Sequence, residues 1–170
     1  MYKLEKLFDR FADVIGYACG ILMFLLVANV FYDVIMRYFF RSGSIAMQEM
    51  EWHLFSLVFL LGMSYTFKED GHVRVDVIYD TLKPKKKAII NLVGIIFFLI
   101  PFSLLIAYGS IPFVSEAYTS GEISGDPGGL THRWIIKFLI PLSFILLIIS
   151  SVGVVVKNIN IIRANGEVAK

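Results

Sequence analysis

Three polar residues recur at helical spacing inside the first long apolar stretch of the sequence. Asn29, Asp33 and Arg37 follow one another every four residues, so on a helix their side chains share a face. Ionisable groups inside a membrane helix are costly and mark substrate or ion sites, which is one interpretation of this set. The other is a structural Asp33–Arg37 pair near the membrane surface, with the arginine reaching outward. We favour the structural pair, because the set lies at the end of the stretch rather than at its centre.

Two carboxylates and a histidine begin the second apolar stretch. Glu49 and Glu51 are two residues apart, which places them on roughly opposite faces of a helix and argues against a paired-carboxylate site. Glu49 and His53 share a face, so a hydrogen bond between them is possible. A metal site or proton relay needs further ligands nearby, and His72 is predicted to lie on the other side of the membrane. We therefore expect this group to contact a partner or to anchor the helix at the membrane surface.

The sequence lacks the motifs of enzymes and of cofactor-binding membrane proteins. It has no HExxH motif and no ordered Ser-His-Asp set, and its single cysteine, Cys19, excludes an intrachain disulfide or a CxxC pair. Only His53 of the three histidines is near an apolar stretch, which argues against a b-type haem. The net charge of +2 gives no indication of nucleic-acid binding. We therefore expect no enzyme activity, no cofactor, no metal and no nucleic-acid partner.

Four apolar stretches must position these residues. Hydrophobic residues make up 57% of the chain and charged residues only 18%, below the roughly 25% of soluble domains. A helix of about 20 apolar residues crosses the hydrocarbon core, and an open strand would leave its backbone groups unpaired there. We predict an all-α integral membrane protein with one transmembrane domain over residues 1–170. The predicted transmembrane helices cover residues 14–36, 48–68, 87–113 and 135–157.

The positive charges predict the orientation. The two ends and the loop between spans two and three hold 12 of the lysines and arginines, whereas the other two loops hold 4. The positive-inside rule therefore places both termini in the cytoplasm. Within the middle loop, Lys85, Lys86 and Lys87 are expected to lie against the anionic membrane lipids.

The segments that flank the spans have predictions of their own. Apolar residues recur at helical spacing over residues 2–13, which predicts an N-terminal amphipathic helix on the cytoplasmic surface before span one. Residues 77–82 are predicted to form a short interfacial segment between spans two and three, after an extended piece. Pro101 is expected to kink span three and Pro112 to mark its outer end.

Small residues form a stripe at the start of span one. Ala12, Gly16 and Gly20 are four residues apart, and such stripes let two helix backbones approach closely. Glycine is also simply common in membrane helices. Both interpretations stay open.

Four motifs occur in a fixed order along the chain. They are Arg37-Tyr38-Phe39-Phe40, Gln48-Glu49-Met50-Glu51-Trp52-His53-Leu54-Phe55, Gly71-His72-Val73-Arg74-Val75-Asp76-Val77 and Gly128-Gly129-Leu130-Thr131-His132-Arg133-Trp134-Ile135-Ile136-Lys137. In this order the sequence resembles the small, DctQ-like membrane subunit of tripartite ATP-independent periplasmic (TRAP) transporters over nearly its whole length. One departure is Glu49-Met50-Glu51, where many relatives have adjacent acids.

The resemblance implies a bacterial inner-membrane protein without substrate chemistry of its own. Such a subunit widens and anchors the scaffold of a large, elevator-type permease that holds the substrate and sodium sites. A periplasmic binding protein delivers the substrate, usually an organic acid. The alternative is a free-standing small exporter that works as a homodimer. The residues expected to serve partner contact or structure are Gly16, Gly20, Asn29, Asp33, Arg37, Glu49, Glu51, His72, Arg74, Asp76, Arg133 and Trp134.

Overall fold

The computed structural model describes residues 2–72 and 76–167, and every regular element in these ranges is a helix. The chain begins with α1 (Tyr2–Tyr38), α2 (Ile45–Lys68) and the one-turn α3 (Asp76–Tyr79). A nearly continuous rod follows, made of α4 (Pro84–Gly94), a π-helical turn (Ile95–Leu99), α5 (Ile100–Gly109) and α6 (Ile111–Thr119). The last helix is α7 (Trp134–Glu167).

Helix α7 is the centre of the packing. It contacts α1 and α2 as well as all segments of the rod α4–α6, while α1 and α2 also pack on each other. Small residues allow these close approaches. Ser143 and Ser151 are fully buried, and a Cβ atom on Gly153 would lie only 2.8 Å from Cβ of Phe8 in α1. The hydroxyls of both serines are satisfied within α7, by the carbonyls three residues earlier.

Three helical segments are long and apolar enough to cross a membrane. They are Glu5–Tyr38, Pro84–Thr119 and Trp134–Ala164, and they contain three of the four predicted spans. Helix α2 contains the remaining predicted span, residues 48–68. With 24 residues, this helix is about 36 Å long. It is less apolar because polar side chains such as His53 and Ser64 interrupt it. Its membrane crossing therefore stays a prediction.

The separate N-terminal surface helix was a wrong prediction. Helix α1 runs without a break from Tyr2 to Tyr38, because no glycine precedes Gly16 and no proline occurs in this helix. Its first turns pack along the C-terminal half of α7, where the amide of Asn160 donates to the Glu5 carboxylate at 3.0 Å. Phe8, one of the apolar residues that suggested a surface helix, instead packs at Gly153 of α7.

The rod α4–α6 accommodates its prolines without ending at them. Pro84 lies in the first turn of α4, where the missing backbone N–H has no partner to lose. The π-helical turn directly precedes Pro101, which cannot donate a backbone hydrogen bond. The prediction that Pro112 marks the outer end was wrong. After a turn at Ser110, Pro112 occupies the first turn of α6, where no donor is required, and the helix continues to Thr119.

The connection between α2 and the rod is partly described. The one-turn helix α3 lies where a short interfacial segment was predicted, and its position at a membrane surface stays a prediction. Arg74 and the core of the predicted extended piece lie outside the described residues. Only the backbone of Asp76 is described, at the start of α3.

Candidate functional site

The loop between α6 and α7, residues 120–133, is fastened to the beginning of α2 by one carboxylate. The Ser124 hydroxyl donates to Oε1 of Glu49, and the backbone N–H of Leu130 donates to Oε2 at 2.5 Å. One side chain of α2 therefore holds two points of a loop that lies more than 70 residues later in the chain. We call residues 120–133 together with Glu49 the outer loop site.

Glycines make this arrangement possible. A Cβ atom on Gly129 would lie 2.5 Å from the Ser124 side chain and 2.8 Å from Oε2 of Glu49, so a larger residue cannot occupy the position without displacing the contact. Gly128 has a φ of 85°, in the left-handed region that glycine adopts readily. Within the loop, the Ser124 N–H donates to the Leu130 carbonyl at 3.0 Å. The glycine cluster thus forms a compact turn.

Two cationic side chains, Arg133 and Lys137, lie at the outer loop site. The Arg133 guanidinium lies 5.6 Å from the centre of the Trp52 ring, and its Nε is 3.9 Å from Oε1 of Glu122. Lys137 donates to the other oxygen of Glu122. Trp134 packs edge-on against Tyr118, with ring centres 5.4 Å apart. These contacts connect α2, α6 and the beginning of α7 at one end of the molecule.

The charge of Glu49 is stabilised at this position. The Ser124 hydroxyl and the Leu130 N–H both donate to its carboxylate, and the Arg133 guanidinium lines the same cavity. The carboxylate lies one turn before the apolar part of α2, among loop residues. A shallow cavity of about 460 Å³ opens beside it, lined by both signs of charge through Asp126 and Arg133. The site can therefore offer a polar, charged recess to another molecule.

Glu49 and His53 do not form a side-chain pair. The His53 ring lies with Nδ1 2.7 Å from the backbone carbonyl of Glu49, one turn earlier, and 3.8 Å from the Trp52 ring between centres. Glu51 is half-buried and makes no hydrogen bond or ion pair with the described part of the chain. Glu49 and Glu51 thus have different surroundings, consistent with the predicted placement on different faces.

The Asn29, Asp33 and Arg37 set lies where α1 meets α2. Asp33 is 1% exposed and accepts from the Arg37 guanidinium, while the Asn29 amide donates to the Met47 carbonyl at 2.9 Å. The geometry agrees with the structural-pair interpretation. No group of three or more histidine, cysteine, aspartate or glutamate side chains is close enough to hold a metal within residues 2–72 and 76–167.

Gly16 and Gly20 of the small-residue stripe have different surroundings. A Cβ atom on Gly16 would lie 2.6–2.9 Å from the Tyr65 ring of α2, whereas one on Gly20 would meet no atom within 4 Å. Ala12, one turn earlier, is fully buried. The close helix approach therefore occurs at Gly16 inside this subunit, and Gly20 presents open backbone to its surroundings.

At the opposite end, an ion cluster joins α1 to α2. The Lys68 ammonium lies 2.5 Å from Asp13 and 2.8 Å from Glu69. His72 follows a tight turn and packs against Phe67, with ring centres 5.8 Å apart. Polar contacts therefore hold both ends of α2: Glu49 binds the loop before α7, and Lys68 binds α1.

Sequence reasoning missed several residues of the outer loop site. The contacts of Ser124 and the Leu130 N–H with Glu49 were not predicted, and neither was the contact of Glu122 with Lys137. The available signal was the glycine-rich loop directly before Arg133 and Trp134, which follows Glu49 by more than 70 residues. Spacing alone does not predict a contact at that separation.

Comparison with known proteins finds one family over most of the chain. Residues 26–160 match the family described as tripartite ATP-independent periplasmic transporters, DctQ component. Two similar proteins come from Haemophilus influenzae (strain ATCC 51907 / DSM 11121 / KW20 / Rd), and each is provisionally named TRAP transporter small permease protein. One is 33% identical over 114 residues, which cover 67% of this chain and 71% of the relative. The other is 28% identical over 117 residues, which cover 69% and 68% respectively.

Proposed function

Since the chain belongs to the DctQ family of TRAP transporter components, we propose that it is the scaffold subunit that holds a large permease subunit in the bacterial inner membrane. It is a multi-pass membrane protein and a transporter component rather than an enzyme. The observation that carries the scaffold role is that the carboxylates of Asp33 and Glu49 bind partners within the subunit itself. The buried carboxylate of Asp33 is engaged by Arg37, and Glu49 is engaged by the outer loop, so both serve the subunit's own structure.

The exposed apolar surface of α1 favours the packing of a partner helix in the membrane. Its large apolar side chains point outward along much of the helix, with Tyr17 77% and Phe24 72% exposed. Gly20 lies between them and leaves room for a second helix backbone. An exposed apolar face next to an open glycine is the kind of surface on which a helix of the large subunit would pack.

We propose four membrane crossings with both termini in the cytoplasm. The opposite placement of Glu49 and Lys68 supports a crossing by α2, because the first contacts the loop between α6 and α7 while the second contacts the beginning of α1. A length of about 36 Å also exceeds the hydrocarbon thickness of about 30 Å. Labelling of cysteines introduced at residues 2 and 168 should occur only after the membrane is opened. Labelling from the periplasm in intact cells would contradict this topology.

In the same proposal, the outer loop site faces the periplasm and contacts the substrate-binding protein of the transporter. The site combines anionic and cationic groups around a shallow recess, which suits a transient, charge-complementary contact. The proposed transporter couples import of an organic acid or similar solute to sodium, with both sites in the large subunit. Glu51, half-buried and unpaired within the described chain, is a candidate for contact with that subunit.

Reconstitution tests the division of labour. The chain alone in vesicles should give no solute uptake under a sodium gradient, whereas the chain with the large subunit and the binding protein should give uptake. Clear transport by the pure chain, together with self-association, would support the alternative of a free-standing exporter acting as a homodimer. Co-purification of the large subunit is the matching binding test.

A single substitution tests the partner surface on α1. Gly20→Leu adds a side chain where the subunit itself has open space, so the fold should be retained while a helix packed there would be displaced. Recovery of the large subunit should fall. Gly109→Leu is the matched control, because Gly109 is also open but lies in the rod α4–α6. Equal recovery with both variants would mean that Gly20 faces lipid.

A further inference from the structure

A long apolar groove runs along α7 between α2 and the rod α4–α6. Both neighbours pack on α7 and have little direct contact with each other, which leaves a cavity of about 960 Å³. Its walls include Met63 of α2, Phe98 of the π-helical turn and Leu147 of α7. Phe102 and Phe144 meet edge-on at the far end, with ring centres 6.2 Å apart. The groove thus has aromatic rings at one end and is open at the other.

A second, polar cavity of about 270 Å³ continues the groove at its open end. The two cavities share lining residues, including Asn91 and Val154. Three lysines line the polar cavity, namely Lys68, Lys87 and Lys157, against the single described carboxylate of Asp70. Lys68 and Lys87 have carboxylate partners in Asp13 and Asp80, while the exposed Lys157 has no ion pair within residues 2–72 and 76–167. The mouth of the groove therefore offers one ammonium group, that of Lys157, which no described carboxylate neutralises.

The length of the combined site matches one leaflet of a bilayer. From Lys87 to Phe102 is about 22 Å along the rod, and from Lys157 to Phe144 is about 20 Å along α7, at about 1.5 Å per residue. Half of a bilayer with its headgroup region is about 20–22 Å. A molecule with an anionic head and an apolar chain of that length fits both ends of the site.

We propose that this site holds one anionic phospholipid of the cytoplasmic leaflet. Its phosphate lies against Lys87 and Lys157, and one acyl chain occupies the groove between α2 and the rod α4–α6. The site differs from general attraction of lipid to the basic segment, because Lys85 and Lys86 are exposed and do not line either cavity. The lipid fills a gap that the helices leave open and so fixes the rod relative to α2. The proposal depends on the membrane topology above and not on the identity of the transported solute.

The charged end is tested by native mass spectrometry of the full chain in detergent. The probe is phosphatidylglycerol, compared with phosphatidylcholine of the same acyl chains. Lys87→Gln and Lys157→Gln should each weaken retention of phosphatidylglycerol about fivefold, and about thirtyfold together, if each lysine makes a separate hydrogen bond to the phosphate. The control pair Lys85→Gln and Lys86→Gln carries the same loss of charge and should leave retention unchanged. Equal losses in the two pairs, or no preference for phosphatidylglycerol, would overturn the proposal.

The apolar end is tested at a glycine. Gly94 lines the groove and a Cβ atom there would meet no atom within 4 Å, so Gly94→Leu places a side chain in the groove from an open backbone position. Leucine also favours the helix over glycine. Gly94→Leu should reduce retention of the lipid, whereas Gly109→Leu, equally open but outside the groove, should not. Unchanged retention in Gly94→Leu, with circular dichroism equal to that of the parent, would show that no acyl chain lies in the groove. Loss of the lipid on assembly with the large subunit would show a protein helix as the native occupant and would also overturn the proposal.

Discussion

The contact between Gly16 and Tyr65 makes a prediction about the α1–α2 interface. In Gly16→Ala the added Cβ atom would lie 2.6 Å from Cδ2 and 2.9 Å from Cγ of the ring, whereas carbon atoms at rest are about 3.5–4.0 Å apart. The ring must therefore shift by about 1 Å. Overpacking of this kind costs about 1–3 kcal/mol, and alanine regains about 0.5–1 kcal/mol of helix propensity. Because Tyr65 is 36% exposed and can move outward, we expect a net destabilisation of about 1 kcal/mol.

The measurement is equilibrium unfolding of the full chain in mixed detergent micelles, with Gly20→Ala as control. Gly20 has no neighbour within 4 Å, so its alanine variant should be neutral or stabilised by up to about 1 kcal/mol. In a Tyr65→Ala background the cost of Gly16→Ala should disappear, because the clashing ring is gone. Equal stabilities of the two alanine variants, or a cost that persists without the ring, would refute the proposed contact.

Three further predictions concern the polar contacts at the other end of α1 and α2. Gly129→Ala should speed hydrogen exchange of the outer loop amides, whereas Gly125→Ala, which has open space, should not; similar rates would contradict the packing at Gly129. Glu49→Gln should also speed exchange of these loop amides, because a neutral amide oxygen accepts more weakly than a carboxylate from the Ser124 hydroxyl and the Leu130 N–H; unchanged rates would contradict the contact. Arg37→Ala should destabilise the chain by about 1–3 kcal/mol in thermal unfolding, and Asp33→Asn in that background should restore part of the loss, because no buried carboxylate is then left unpaired.

The apolar pattern predicts most of the helical architecture because backbone satisfaction in lipid leaves few alternatives. The spans at residues 14–36, 87–113 and 135–157 each fall inside a helix long and apolar enough to cross a membrane. The errors lie at the helix ends. Sequence reasoning ended span three at Pro112 and separated the N-terminal segment from span one, since it could not include the packing of α1 on α7 that extends the helix.

The polar contacts were predictable only where they are local. The Asp33–Arg37 pair follows from a spacing of four residues on one helix. The contact of Glu49 with Ser124 joins residues 75 positions apart, and it depends on the path of a glycine-rich loop that no periodicity describes. The glycine stripe shows the same limit, because spacing puts Gly16 and Gly20 on one side of α1 but does not say where α2 stops covering it.

The distribution of polar contacts gives α2 a particular place in the scaffold. Glu49 fastens one end of this helix to the loop before α7, and Lys68 fastens the other end to α1. Lipid-like surroundings supply little hydrophobic drive for helix association, so such contacts and close packing must hold the helices together. Helix α2 is not among the three segments that are long and apolar enough to cross a membrane by composition, and these contacts fix both of its ends. A partner that binds the outer loop site would therefore contact the loop that holds the beginning of α2.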